Sequence, residues 1–412
     1  MFDWFRNTFA NRGRYRTNSR AVVISCFYNP QNSPYRLLAF QKWFQSVRHL
    51  NFRVIECLIG DSKKQLPDHP AISTVRTQSL LWHKETLLNK VVEELPDKYD
   101  YVFWVDADVL FTNLDWLVQG AEVLQTARLI QPFEWCIHLE KNHLEPNFDV
   151  DSYRKYADDP EQRHKMLWRS FCANMGLTAR QKNYDIHGHV GFAWGAQRGV
   201  LMQCPLYDRA LIGGADHILA HGAAGHLDHD CIAKSFTDNI EEVRAWMKKC
   251  YDVVQGRLSY VEGDLYHIWH GDIRDRQYLQ RIRDFTPQTK EITQRDEEGL
   301  HVAPGSNEYM RRYYARREVT HIQEEGFEGF DAGFYEDMGY AIGDIINLFG
   351  PPQYVEPVQG QEPSPGASWP GPESVVQGDV VPTDPNALPT INDMVLPDRL
   401  PVPVESLSEN FS

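Results

Sequence analysis

Residues 101–108 read Tyr-Val-Phe-Trp-Val-Asp-Ala-Asp, an apolar run that breaks into two aspartates one residue apart. Five apolar residues in succession, Tyr101 to Val105, have the length of a buried strand. The flanking sequence supports a sheet around it. Ala21 to Phe27 is a second apolar strand, closed by the turn signal Tyr28-Asn29-Pro30. Tyr35 to Leu50 carries helical periodicity through Leu37, Leu38, Phe40, Phe44 and Val47. Arg53 to Ile59 reads as a strand ending at Gly60-Asp61, and Ile72 to Val75 as a further one. Lys84 to Leu95 reads as a helix stopped by Pro96, and Asp115 is placed to cap a helix beginning near Trp116. Strands alternating with helices predict an α/β fold with a mostly parallel central sheet and helices on both faces.

In such sheets ligands bind beyond the carboxyl ends of the strands. Phe27, Tyr28, Asp61, Asp106 and Asp108 all fall at such ends, so one pocket can collect them. Asp106 and Asp108 offer oxygen ligands to a hard divalent cation, which can hold a diphosphate as a leaving group. The competing reading of the pair is a solvated turn after a strand. Downstream, His267 and His270 are three residues apart in Tyr-His-Ile-Trp-His-Gly-Asp, and imidazole suits Mn²⁺ or Zn²⁺. Between the two blocks lie Gly191-Phe192-Ala193-Trp194-Gly195 and Leu211-Ile212-Gly213-Gly214-Ala215-Asp216-His217. The second of these ends in a carboxylate that a helix start, Asp216 to Ala220, would hold in place.

The order strand-Asp-x-Asp, Gly-Phe-Ala-Trp-Gly, Gly-Gly-x-Asp, His-x-x-His resembles the metal-dependent glycosyltransferases of the A fold. It is most similar to the inverting group that contains the β-1,4-galactosyltransferase C-terminal region and the chondroitin-type polymerases. The resemblance covers roughly residues 20–285. It implies that Asp108, with His267 and His270, binds Mn²⁺ or another divalent cation, and that Asp106 lies beside the ribose and the metal. It implies Asp216 as the base that deprotonates an acceptor hydroxyl. It further implies that residues after the first strand, Phe27 and Tyr28, contact the nucleotide base, and that Asp61 pairs with a uracil N–H or else is a turn aspartate. Trp82, His83, Lys84 and Asn89 stand where base and phosphate contacts occur; Lys84 is a cation for a diphosphate or else a solvated helix lysine. One of Trp194 and Trp269 would stack on a sugar face while the other packs in the core. The implied partners are a nucleotide-sugar donor, UDP-linked, and a glycan or other hydroxyl acceptor. Ala215 departs from the pattern, because the family usually has there a Glu that contacts the acceptor sugar.

Composition bounds the remainder. The chain has 412 residues and a formal charge of −15. Residues 1–20 form a basic extension of about +4 and residues 351–412 carry about −8, leaving about −11 on the body. An acidic body argues against nucleic acid as a partner. Arg311, Arg312, Arg316 and Arg317 with Tyr313 and Tyr314 are the one candidate basic patch, set against a solvated helix face. The seven cysteines contain no Cys-x-x-Cys, which fits a reducing compartment. No apolar run approaches a membrane span in length and no secretory leader is evident, so a cytoplasmic location is expected. Phe2, Trp4, Phe5 and Phe9 suggest a membrane-surface helix or, by preference, a disordered tail. Residues 351–412 hold 13 of the 24 prolines and read as a disordered acidic tail. The predicted organisation is thus an extension (1–20), a catalytic domain (21–285), a segment packing back on the body (286–350) and the tail. In that segment Asn307 to Arg317 reads as a helix, and Phe327, Phe330, Phe334 and Tyr335 as packing aromatics.

Three rivals share some of these residues. His187-x-His189 and His217-x-x-x-His221, within the cluster 187, 189, 217, 221, 226 and 229, have the spacing of a zinc-dependent hydrolase. Against it, His-Glu-x-x-His is missing and the Asp-x-Asp strand would stand idle. A nucleotidyltransferase making an activated sugar would want a Gly-rich basic loop after the first strand, where Tyr28-Asn29-Pro30-Gln31-Asn32-Ser33 has neither glycine nor charge. A non-catalytic sugar-binding protein would keep the fold alone.

Overall fold

The structure is a computed structural model that describes residues 16–156, 166–175, 187–236, 239–271, 294–303 and 305–322, without the side chains of 234 and 315–322. The extension aromatics, the tail over 351–412 and Phe327, Phe330, Phe334 and Tyr335 lie outside the described residues.

The elements in chain order are β1 (Ala21–Tyr28), α1 (Pro34–Val47), β2 (Phe52–Ile59), β3 (Ile72–Thr77), α2 (Lys84–Glu94), β4 (Tyr101–Val105), β5 (Val109–Phe111), α3 (Trp116–Val123), β6 (Leu129–Gln131) and β7 (Trp135–His138). They continue with α4 (Val150–Arg154), β8 (Leu167–Arg169), β9 (Ala193–Gln197), α5 (Arg198–Gln203), α6 (Ala215–Ala224), α7 (Asp230–Ser235), α8 (Ile240–Val254), β10 (Leu258–Tyr260), β11 (Asp264–His267), β12 (Gln294–Arg295), β13 (His301–Val302) and α9 (Ser306–Ile322).

The main sheet has seven strands in the order β10-β6-β9-β4-β1-β2-β3. All neighbours are parallel except β9, which runs antiparallel to both β4 and β6. Alternation along the strands feeds two cores. Ala21, Val23, Phe103 and Val105 face α1, whose Phe40, Trp43, Phe44 and Val47 form one layer. Val22, Ile24, Val102 and Trp104 face the other side, where α2 contributes Leu87, Leu88, Val91 and Val92 and α8 contributes Cys250 and Val254. A strand whose odd and even residues are both buried reads as a continuous apolar run, which is why β1 and β4 were visible in the sequence.

A second sheet, β5-β11-β7-β8, stands beyond the carboxyl end of β4. Its strands are short, and β5 pairs antiparallel with β11 so that Val109 lies opposite His267. That register carries the Asp106–Asp108 segment past the end of the main sheet and sets it against the His267 segment. Asp115 occupies the position before α3, as predicted, but its side chain makes no capping hydrogen bond; its own N–H instead donates to Asn113 Oδ1 at 3.0 Å. No helix among the described residues is long and apolar enough to cross a membrane.

Candidate active site

Beyond the ends of β1 and β4 lies a cleft of about 360 Å³. Its walls bring together Phe27, Tyr28, Lys84, Asp106, Asp108 and Asp216, with His267 and His270 across from them. Asp61 follows β2, is exposed, and does not line this cleft.

Asp108 leaves β4 just before β5. Its Oδ2 lies 2.9 Å from His270 Nε2 and 3.7 Å from His267 Nε2, and one ligand atom from each of the three falls within 4.8 Å of the others. The backbone fixes this approach, because Ile268 N–H donates to Asp108 O at 2.8 Å. Burial alone would raise the Asp108 carboxyl; hydrogen bonds and charge from the two histidines outweigh it and hold it well below its ordinary value. His267 Nδ1 lies 3.1 Å from His138 Nδ1, a contact that turns Nε2 toward Asp108. Metal-bound histidines characteristically use their other ring nitrogen in this way. Asp108 Oδ1 is buried and finds no hydrogen-bond partner among the described residues. One carboxylate and two imidazoles with an orphaned buried oxygen are a donor set that fits a divalent cation.

Lys84, the first residue of α2, is only 12 % exposed, and its ammonium lies 2.7 Å from Asp106 Oδ1 and 3.3 Å from Asp216 Oδ2. Burial opposes its charge, but the two carboxylates prevail and hold its pKa well above the usual value. It is therefore a bridge between two carboxylates and not a solvated helix lysine. Burial pushes Asp106 up to about 6; Lys84 opposes the rise, and Asp108 and Asp216 add to it. Asp106 is also anchored through its backbone, where its N–H donates 2.7 Å to Phe192 O.

Asp216 sits in the first turn of α6, behind Gly213 and Gly214 at φ +93° and +99°. Only glycine holds such angles without strain, and the turn delivers Asp216 to a helix N-terminus, where a negative charge is favoured. Gly191 lies close by: a Cβ there would meet His189 at 3.2 Å and Asp216 Oδ2 at 3.5 Å. Phe192 takes φ +78° and stacks on His189 at 4.2 Å and on His267 at 4.8 Å between ring centroids. The Gly-Phe-Ala-Trp-Gly block thus joins the metal-type cluster to the Asp216 side.

Trp194 is buried and donates its indole N–H to Val190 O at 2.8 Å, so it belongs to the core. Trp269 meets Tyr35 edge-on at 4.9 Å and lies beneath Lys141. Asn89 bonds Leu206 O and has a packing role. Tyr313 and Tyr314 are buried, so they pack inward and not on an open face beside Arg311 and Arg312. Sequence reasoning missed Arg36, which lines the cleft and donates to Tyr28 O at 3.1 Å. Its position in the first turn after the Tyr28-Asn29-Pro30 loop was the available signal.

No protein-family model matches the chain, and no curated protein matches it. Among solved structures it is similar to glucosyl-3-phosphoglycerate synthase from Mycobacterium tuberculosis in complex with Mg²⁺ and uridine diphosphate, at 12 % identity and TM-score 0.31 over 69 % of this chain and 81 % of that one. It is similar to mannosyl-3-phosphoglycerate synthase from Rubrobacter xylanophilus, at 10 % and 0.33 over 66 % and 73 %. It is also similar to the catalytic domain of Drosophila β1,4-galactosyltransferase 7 in complex with xylobiose, at 9 % and 0.29 over 68 % and 90 %. Scores this low assign neither fold nor activity.

Proposed function

We propose that the chain is a divalent-metal-dependent glycosyltransferase of the A fold, moving a sugar from a UDP-linked donor to a hydroxyl acceptor with inversion. The observation that carries this reading is the single cleft in which Asp108, His267 and His270 converge while Lys84 ties Asp106 to Asp216. A divalent cation held by Asp108, His267 and His270 would offset charge on the departing diphosphate. Arg36 supplies a guanidinium to the same charge. Phe27 and Tyr28 form the apolar wall beside it, suited to a nucleotide base. Lys84 fixes the Asp216 carboxylate, which takes the proton of the attacking hydroxyl. One carboxylate acting as base on the acceptor implies a single displacement, and a single displacement inverts the anomeric centre. A zinc hydrolase built on His187, His189, His217 and His221 is disfavoured because only His189 of the four lines the cleft, while the other three lie outside it.

The test combines binding and turnover. UDP should raise the melting temperature only with Mn²⁺ present, since a ligand of the native state stabilises it. Asp108→Asn and His270→Ala should both lose that shift. Asp216→Asn should keep it while turnover falls by about 10²- to 10⁴-fold. An α-linked donor should give a β-linked product, read from the anomeric proton coupling. Equal loss of UDP binding in Asp216→Asn would remove its role as base, and an α product would remove the single displacement.

A further inference from the structure

A second donor cluster lies outside the cleft. His187 precedes β9, His221 lies on α6 and Cys231 on α7, and one ligand atom of each falls within 4.8 Å of the others. None of the three lines the cleft. His187 Nε2 is 3.6 Å from Cys231 Sγ. Tetrahedral zinc, with nitrogen at about 2.0–2.1 Å and sulfur at about 2.3 Å, separates those two atoms by about 3.5 Å.

The tautomers agree with ligation. His187 Nδ1 donates to Gly188 O at 2.8 Å, which leaves the lone pair on Nε2, the nitrogen facing the thiol. A backbone carbonyl in that place is the usual partner of a metal-bound imidazole. His221 is fully buried, and its Nε2 finds no hydrogen-bond partner among the described residues; its Nδ1 lies 3.4 Å from His226 Nδ1. The neighbouring His229 is otherwise engaged: its Nδ1 accepts from Cys231 N–H at 3.3 Å as the N-cap of α7.

We infer that His187, His221 and Cys231 bind a zinc ion, separate from the Asp108 set. Thiolate with two imidazoles selects zinc over the hard cations that suit a diphosphate. Binding releases the Cys231 thiol proton to solvent, and the three protein ligands leave one position of a tetrahedron for water. The ion ties together the parts that build one wall of the cleft. His221 shares α6 with Asp216, and His187 stands two residues before His189, which lines the cleft. It does not depend on the activity proposed above.

The full-length protein, purified without added metal, should carry about one equivalent of zinc. Asp108→Asn should retain it and Cys231→Ser should lose it. Exchange into Co²⁺ should produce the near-ultraviolet absorption of a cobalt–thiolate bond in wild type and in Asp108→Asn, because the Asp108 set holds no sulfur. That band should vanish in Cys231→Ser. Wild-type protein with neither zinc nor a cobalt–thiolate band would reduce the cluster to an S–H···N hydrogen bond and overturn the inference. A band that survives Cys231→Ser would assign the sulfur to another cysteine and overturn it as well. Absence of the band in wild type overturns the inference even where Cys231→Ser folds poorly, and where it does, loss of the zinc in His187→Ala and His221→Ala takes the place of that variant.

Discussion

Glu85 follows Lys84 into α2 and is 6 % exposed. Burial pushes its carboxyl up to about 8; Lys84 opposes the rise, while Asp216 and Asp106 add to it. The folded pKa stands above the ordinary 4.5, so the native state keeps a proton that the unfolded chain has released. Stability from this group is complete below about pH 4.5 and falls as pH rises toward about 8. Asp106 behaves alike, but its loss ends near 6. Between about pH 6.5 and 8 the slope of these two therefore belongs chiefly to Glu85. Glu85→Gln should flatten the fall in urea midpoint across that window and stabilise the protein at pH 8 by about 2–4 kcal/mol. Identical pH slopes for the two proteins would sink this. Lys84, Asp106 and Asp216 were each singled out in the sequence, but their meeting was not legible there, and Glu85 shows only as an ordinary opening residue of a helix. The charges that define them, at 106 and 216, arrive through chain crossings that no local pattern encodes. The separate zinc-type cluster was half legible: the histidines were visible by spacing, but Cys231 and the division into two sites were not.

At the scale of elements, β4 and β9 pack closely through one ring. The ring of Phe103 on β4 lies against Gly195 directly across on β9 and against Gly120 on α3. A Cβ on Gly195 would meet that ring at 2.5 Å and one on Gly120 at 2.7 Å, closer than side-chain carbons approach. Gly195 is therefore a packing residue, although its motif looked functional. Gly195→Ala should cost about 1–3 kcal/mol in a urea unfolding experiment. Phe103→Leu should recover part of that loss in the double mutant while being destabilising alone, which a double-mutant cycle reads as coupling. Strictly additive effects would show that the ring and the glycine do not meet. The strands of this sheet were legible because burial on both faces writes an apolar run. The reversed direction of β9 was not, since an antiparallel strand in such a sheet carries the same composition. The second sheet went unread because its strands span three or four residues each, too short for periodicity to register.

At the scale of the whole molecule, the carboxyl-terminal half of the described chain returns to the cleft. Asn307, early in α9, accepts from Leu80 N–H at 2.8 Å and donates to Gln78 O at 2.6 Å, which fastens the helix to the β3–α2 connection. Met310, Tyr313 and Tyr314 then pack with Leu80, Leu81, Leu211 and Ile212, and Tyr313 reaches the cleft wall near Tyr28. The Leu80–Leu81 segment leads into Lys84, and the Leu211–Ile212 segment leads into Gly213, Gly214 and Asp216. One helix thus braces the two approaches that bring Lys84 and Asp216 to the cleft. Deleting residues 305–412 should strip three buried side chains from that cluster, cost about 5 kcal/mol or more, and abolish the Mn²⁺-dependent thermal shift by UDP. Deleting only 355–412 should do neither, because a proline-rich acidic stretch has too little apolar surface to offset the entropy of ordering it. Melting curves of the two truncations beside the full chain, with and without UDP and Mn²⁺, separate the effects. If the shorter deletion lowers the melting temperature as much as the longer one, the tail and not α9 carries the stabilisation. If the longer deletion leaves UDP binding intact, Tyr313 and its neighbours are no part of the nucleotide site.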